Sequence, residues 1–118
     1  MLKNIKLKDG SKEIEISNLT KVSEFGKIRG LMFRRRNKSK SLLFNFNNPV
    51  KIKIHSCFVF FPFLAIWIDD KNKILDKKVV KPWKIYISPS VKYYNQLIEI
   101  PLNDFYHKEV ENIVGQKI

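Results

Sequence analysis

The side chains best suited to chemistry are a histidine and a cysteine two residues apart, His55 and Cys57. Residues at this spacing share one face of a β-strand, so they could act as metal ligands or as a nucleophile with its base. Along a strand, however, they stand about 6 to 7 Å apart, which is too far for direct proton transfer. A structural zinc site needs four nitrogen or sulfur ligands, and the whole chain has 2 His and 1 Cys. We therefore expect no metal and no cofactor, and interpret the pair as packing residues.

The carboxylates offer no clear acid and base pair. Asp69 and Asp70 adjoin in a turn-like segment, where aspartates usually shape the turn, and Glu13 and Glu15 fall on the solvent side of an early strand. The sequence has no dinucleotide-binding, phosphate-loop, serine-hydrolase or zinc-protease motif. No catalytic residue is therefore predicted, and whether the chain is an enzyme stays open.

A basic segment is the strongest indication of binding. Seven cations fall within 14 residues with no acid among them: Lys27, Arg29, Arg34, Arg35, Arg36, Lys38 and Lys40. Such clusters can hold phosphates through charge-assisted hydrogen bonds. The segment predicts contact with nucleic acid or another polyanion through Arg34, Arg35, Arg36, Lys38 and Lys40. The alternative is an exposed loop without a partner.

The overall charge agrees with an anionic partner. Lys and Arg number 23 against 11 Asp and Glu, a formal net charge of +12, above the magnitude of about 2 to 8 that suits a small soluble domain. Frequent Lys, Asn and Ile could equally reflect AT-rich coding or a hot habitat. The single cysteine and the absence of an apolar secretion signal predict a cytoplasmic protein. The longest apolar run, residues 57–68, contains Pro62 and is too short to span a membrane.

Short strands must position these residues. Alternating apolar residues predict strands at 4–8 and 12–17, joined by a tight turn at Asp9 and Gly10. A helical period predicts a short helix from Thr20, as its cap, to Gly30. Further strands are predicted at 42–46, 50–54, 58–68, 74–80, 84–88 and 96–100, and a helical turn or two within 102–112. Pro62 should interrupt the long middle run.

These elements predict a mainly β fold: a small antiparallel or mixed barrel or sandwich with one or two short helices. At 118 residues the chain has the size of a single domain, residues 1–118.

Six short motifs in a fixed order resemble those of the domain-of-unknown-function 192 family. They are RGLMFR at 29–34, LLFNF at 42–46, IHSCFVFFP at 54–62, WID at 67–69, KPW at 81–83 and LIEIP at 97–101. The resemblance implies a compact β fold and no particular activity. Two departures stand out: Leu64 replaces an Asp of the family pattern, and Leu102 with Asn103 replaces an Ala-Gly pair.

The motifs also suggest a second kind of site. Arg29, His55 and Trp83 each lie in one of them, and tyrosines follow Trp83 closely in sequence. A small-ligand or catalytic pocket lined by these three residues is the alternative to polyanion binding. A third interpretation is a structural or protein-interaction domain. The sequence leaves the oligomeric state open.

Overall fold

The hairpin predicted at the start of the chain is confirmed in the structure, a computed structural model that describes residues 2–22, 39–51, 59–84 and 87–115. Strand β1 spans Leu2–Asp9 and pairs antiparallel with β2, Lys12–Lys21. Gly10 occupies the turn with φ 64°, a conformation that costs glycine little. The alternating apolar side chains of both strands face inward, as their period of two requires.

Strand β2 runs further than the sequence suggested. Thr20, the predicted helix cap, lies within β2 and pairs in parallel with Leu42. The prediction of a cap at Thr20 is therefore wrong, because Leu19 is fully buried in the sheet and the strand continues past it. The rest of the predicted helix, to Gly30, lies outside the described residues.

Four more strands complete the part of the sheet that the structure describes: β3 Leu42–Val50, β4 Phe63–Ile68, β5 Ile74–Val80 and β6 Tyr94–Pro101. Strand β4 begins directly after Pro62, which confirms the predicted interruption. Residues 47–49, which fall between the strands predicted at 42–46 and 50–54, instead lie inside β3, where the register shifts between Asn45 and Val50. Such a bulge accommodates Pro49, which has no N–H to donate. The strands predicted at 50–54 and 84–88 fall partly outside the described residues.

The strands form one mixed sheet in the order β1-β2-β3-β6-β4-β5. Neighbours are antiparallel except β2 and β3, which pair in parallel through two residue pairs. The sheet curls into a half-barrel, so its two outer strands approach each other. The Lys8 amide donates to the Asn72 carbonyl at 2.9 Å, and the Lys77 ammonium lies 2.7 Å from the Asp9 carboxylate.

Side chains are buried on both faces of this sheet. Strand β4 shows it most clearly, because all six of its residues are buried and alternate between the faces. Leu64, Ile66 and Ile68 enter a first core with the N-terminal hairpin. Phe63, Ala65 and Trp67 enter a second core on the other face, with Phe61 and Tyr94. The mainly β class predicted from the sequence is confirmed.

One helix, α1 at His107–Val114, covers the first core with Val110 and Ile113. It follows β6 through a polar junction: the Asn103 amide donates to the Ser39 carbonyl at 3.1 Å and accepts from the Tyr106 amide. The Tyr106 hydroxyl accepts from the Ser41 amide at 3.2 Å. The helix predicted in this part of the chain is thus confirmed. Within the described residues, no helix combines the length and apolarity needed to cross a bilayer.

Candidate functional site

The structure describes two of the residues predicted to bind. Lys40 is exposed and precedes β3, and Trp83 is 52% exposed after β5. The other predicted residues lie outside the described part of the chain: Arg29, His55, Arg34, Arg35, Arg36 and Lys38. Of the predicted binding residues, the structure therefore compares the positions of Lys40 and Trp83.

The strand register places both residues at the same end of the sheet. Strand β3 starts beside the end of β6, with Leu42 opposite Glu99. Strand β4 starts and β5 ends at this same end, because Phe63 pairs with both Pro101 and Val80. Three strand spacings separate β3 from β5, about 14 Å.

Five exposed side chains that adjoin these strand ends define what we call the basic-aromatic end: Lys40, Phe60, Lys81, Trp83 and Lys84. Lys40 lies just before β3, Phe60 just before β4, and the other three directly after β5. Residues that are up to 44 positions apart in sequence thus come to one end of the molecule.

Phe60 and Trp83 make direct ring contact there. Their ring centroids are 5.6 Å apart with an interplanar angle of 68°, an edge-to-face geometry, and Phe60 is 59% exposed. Trp83 has φ 63°, a left-handed conformation that is strained for a bulky residue. Strained backbone of this kind is concentrated at functional sites. The structure thus holds a large aromatic ring at the surface at an energetic cost.

Acidic residues are scarce around this end. Residues 25–68 and 77–98 contain no Asp or Glu, yet carry nine and five of the 23 cations. Phe60 belongs to the first stretch and Trp83 to the second. The acids instead lie mainly on the N-terminal hairpin, in the turn after β4 and on α1. Two described acids adjoin the same end of the sheet: Asp104, exposed after β6, and Glu99, buried opposite Leu42.

A buried carboxyl, Glu99, is the most perturbed group among the described residues. It is 6% exposed and lies on the second face between Leu42 of β3 and Ala65 of β4. Burial raises the pKa of Glu99 to about 8, so the carboxyl is mostly neutral at pH 7. Trp67, diagonal to it on β4, has an indole N–H with no acceptor among the described residues. The carboxyl could exchange a proton near neutral pH, but its burial separates it from solvent.

A groove between β2 and α1 is a second concave feature, with a volume of about 610 Å³. It is open and lined by both signs of charge, from Lys12, Glu13, Glu15, Lys108 and Glu109. Burial raises the pKa of Glu109, one of whose carboxylate oxygens is enclosed without a partner among the described residues. Mixed charge and openness give this groove no preference for one ligand class.

Other carboxylates behave as the sequence suggested. The Asp69 carboxylate accepts from the amides of Lys71 and Lys73, both at 2.9 Å, and so shapes the turn after β4. Glu13 and Glu15 are exposed on β2. Within the described residues, no cluster of three or more His, Cys, Asp or Glu is arranged to hold a metal ion.

Sequence reasoning missed Glu99 and Phe60. The signal for Glu99 was present, since an acid inside the apolar run LIEIP must be buried if the strand is central. Phe60 gave no such signal, because it sits among buried aromatic neighbours in sequence. Phe60 lies outside the sheet because β4 begins at Phe63.

The comparisons with known proteins agree with this fold. The model of the DUF192 family, described as an uncharacterised ACR, matches residues 5–117. No curated protein matches the chain. A solved structure of a candidate transcription regulator from Sinorhizobium meliloti is similar, with TM-score 0.73 and 15% identity over 99% of this chain and 88% of that one.

A second similar structure is a protein of unknown function from Novosphingobium aromaticivorans. Its TM-score is 0.65, with 14% identity over 91% of this chain and 77% of that one. At these identities the likeness concerns the fold alone. Both departures from the family motifs are structural here: Leu64 is fully buried in the first core, and Asn103 joins Ser39, which precedes β3, to Tyr106, which precedes α1.

Proposed function

The chain belongs to the DUF192 family of uncharacterised proteins, so we propose its function from its own surface: a binding module that holds nucleic acid or another polyanion at the basic-aromatic end. We further propose that residues 1–118 form one domain that works in the cytoplasm. The observation that carries the proposal is the strand register, which gathers Lys40, Lys81 and Lys84 at one end of the sheet.

Charge and sequence support the same surface. Lys40 is the last residue of the basic segment, so we extend the proposal along the sequence to Arg34, Arg35, Arg36 and Lys38, which lie outside the described residues. Lysine and arginine hold phosphates largely through charge, which makes the affinity depend steeply on salt. The described residues of this end, Lys40, Phe60, Lys81, Trp83 and Lys84, all belong to acid-free stretches of the sequence, which reduces repulsion of an anion.

Fluorescence anisotropy with a labelled oligonucleotide tests the proposal. If about four phosphates are neutralised, raising salt from about 50 to about 200 mM weakens binding on the order of 100-fold. The triple substitution K40Q, K81Q and K84Q should weaken binding and flatten the salt dependence by about one unit of slope for each lost phosphate contact. Neutralising Arg34, Arg35 and Arg36 together should do the same.

The matched control is the triple substitution K6Q, K8Q and K12Q, which removes three exposed charges from the N-terminal hairpin, away from the start of β3. Both lysine triples lower the formal net charge by three, from +12 to +9. Equal losses in the two would mean that net charge alone drives binding, and the proposed surface would be rejected. If binding is unchanged after the three arginines are neutralised, these arginines do not belong to the proposed binding surface.

A small-ligand or catalytic pocket lined by Arg29, His55 and Trp83 is the second proposal, favoured by the strained backbone of Trp83. A pocket should saturate with a mononucleotide or a small anion, whereas an extended surface should gain affinity with oligonucleotide length. Titration with ligands of increasing length separates the two. Binding of neither would leave a structural or protein-interaction domain.

A further inference from the structure

The exposed rings at the basic-aromatic end are arranged as a platform. The edge-to-face contact with Phe60 supports the Trp83 ring on one side, while about half of each residue remains accessible. Neither ring belongs to either core, although Phe61, next to Phe60, is buried in the second one. The exposed part of these rings can therefore be reached by a flat apolar partner.

Two lysines flank Trp83 in the sequence. Lys81 and Lys84 are both exposed and stand two residues before and one residue after the ring. A partner that suits this arrangement carries flat rings and negative charges at short, regular spacing. Unpaired nucleotides have this chemistry, since every base has a face for stacking and every linkage a phosphate.

We propose that the basic-aromatic end binds single-stranded nucleic acid, with an unpaired base stacked on the Trp83 ring, which Phe60 contacts edge-to-face, and the adjoining phosphates at Lys81 and Lys84. This rests on the proposed function and narrows it to one form of polyanion. In a duplex the base faces are covered by their neighbours, so the rings could contribute little to duplex binding. Stacking depends weakly on base identity. We therefore expect this surface to prefer single strands to duplexes and to show little preference for sequence.

Titrating the full chain with an oligothymidine of about 20 nucleotides, a duplex of the same length and heparin tests this inference. Trp83 and Trp67 are the two tryptophans of the chain, and Trp67 is fully buried. We expect the single strand to quench the Trp83 fluorescence, and heparin to bind without that quenching. Replacing Trp83 by Phe should abolish the quenching.

Affinity of the variants provides the second measurement. Trp83→Ala should weaken single-strand binding by about 5- to 150-fold, the range for one lost stack, and leave heparin binding unchanged. Trp83→Gly should do the same, and it keeps the test valid if alanine unfolds the chain, because glycine accepts φ 63°. Tyr93→Ala is the matched control, since Tyr93 is 50% exposed with Lys92 over its ring but precedes β6, at the opposite end of the sheet.

The outcomes separate this inference from the proposed function. If both Trp83 variants bind the single strand as the unmodified chain does, while K81Q with K84Q binds all three probes more weakly, the stacking inference is overturned and polyanion binding stands. If the unmodified chain binds the duplex more tightly than the single strand, the stacking inference is likewise overturned and polyanion binding stands. If the unmodified chain binds none of the three probes, both proposals fall.

Discussion

Glu99 shows how one residue can make the stability of the sheet depend on pH. The unfolded chain ionises this carboxyl near its ordinary pKa of 4.5, whereas in the folded chain its pKa is about 8. Between these values the folded state holds a proton that the unfolded state has released. The contribution of Glu99 to the free energy of unfolding therefore falls as the pH rises from about 4.5 to about 8.

We expect Glu99→Gln to remove this dependence. Glutamine keeps the shape of the protonated carboxyl and cannot ionise, so the variant should gain stability relative to the unmodified chain by on the order of 1 kcal/mol for each pH unit within the window. Urea denaturation at pH 5, 6, 7 and 8 measures the difference. Glu15→Gln, on an exposed position of β2, is the control. Parallel pH profiles for Glu99→Gln and the unmodified chain would show that Glu99 is ionised at little cost.

At the scale of elements, the junction of Asn103 and Tyr106 joins the segment before β3 to the start of α1. Its polar groups are buried, since Asn103 is 4% and Tyr106 5% exposed. Here the chain departs from the small residues of the family pattern, and the Asn103 amide supplies a donor to Ser39 and an acceptor for Tyr106. A side chain that satisfies two buried backbone groups contributes to stability out of proportion to its size.

Asn103→Ala should therefore lower the free energy of unfolding by about 1 to 3 kcal/mol, because the buried Ser39 carbonyl loses the Asn103 donor and the Tyr106 amide loses one of its two acceptors on Asn103. Chemical denaturation measures the loss. Asn112→Ala is the matched control, because Asn112 is exposed on α1, and it should have an effect within about 0.5 kcal/mol. A similar effect for both substitutions would mean that water replaces the Asn103 amide.

The strands could be predicted where the signal is local. The turn at Gly10 and the break at Pro62 follow from backbone conformations that the neighbouring residues alone decide. The role of Thr20 could not be predicted, because its strand partner Leu42 is 22 residues away. A threonine can cap a helix or pair within a strand, and the tertiary structure determines which of the two occurs.

At the scale of the whole molecule, Lys77 links three parts of the half-barrel. Its ammonium lies 2.7 Å from the Asp9 carboxylate of β1 and donates to the Ile113 carbonyl at 2.9 Å, near the end of α1. The two outer strands of the sheet and the helix thus meet at one cation. Its side chain is 30% exposed, so solvent screens the interaction only in part.

Lys77→Met should lower the free energy of unfolding by about 0.5 to 1 kcal/mol in dilute buffer, and by less in about 1 M salt, where ion pairs are screened. Thermal unfolding at the two salt concentrations measures this. Lys71→Met, in the exposed turn after β4, should change little at either. A loss that persists in full at high salt would assign the effect to the hydrogen bond with Ile113 and exclude the ion pair.

The candidate site could be predicted only in part for a related reason. The sequence showed the cluster of cations that ends at Lys40, and it showed Trp83 as part of the KPW motif. Their position at the same end of the sheet depends on the pairing of β3, β6, β4 and β5. No short window of sequence contains that pairing, so Phe60 and the basic-aromatic end required the folded chain.

The position of β6 has a consequence for synthesis on the ribosome. This strand lies between β3 and β4 in the sheet, yet it follows both of them, and β5, along the chain. Until it emerges, the nascent chain can form the two local hairpins, while β3 and β4 each expose an unpaired edge to other chains. We therefore expect release of the last strand to limit the rate of folding, and chains stalled before Tyr94 to aggregate.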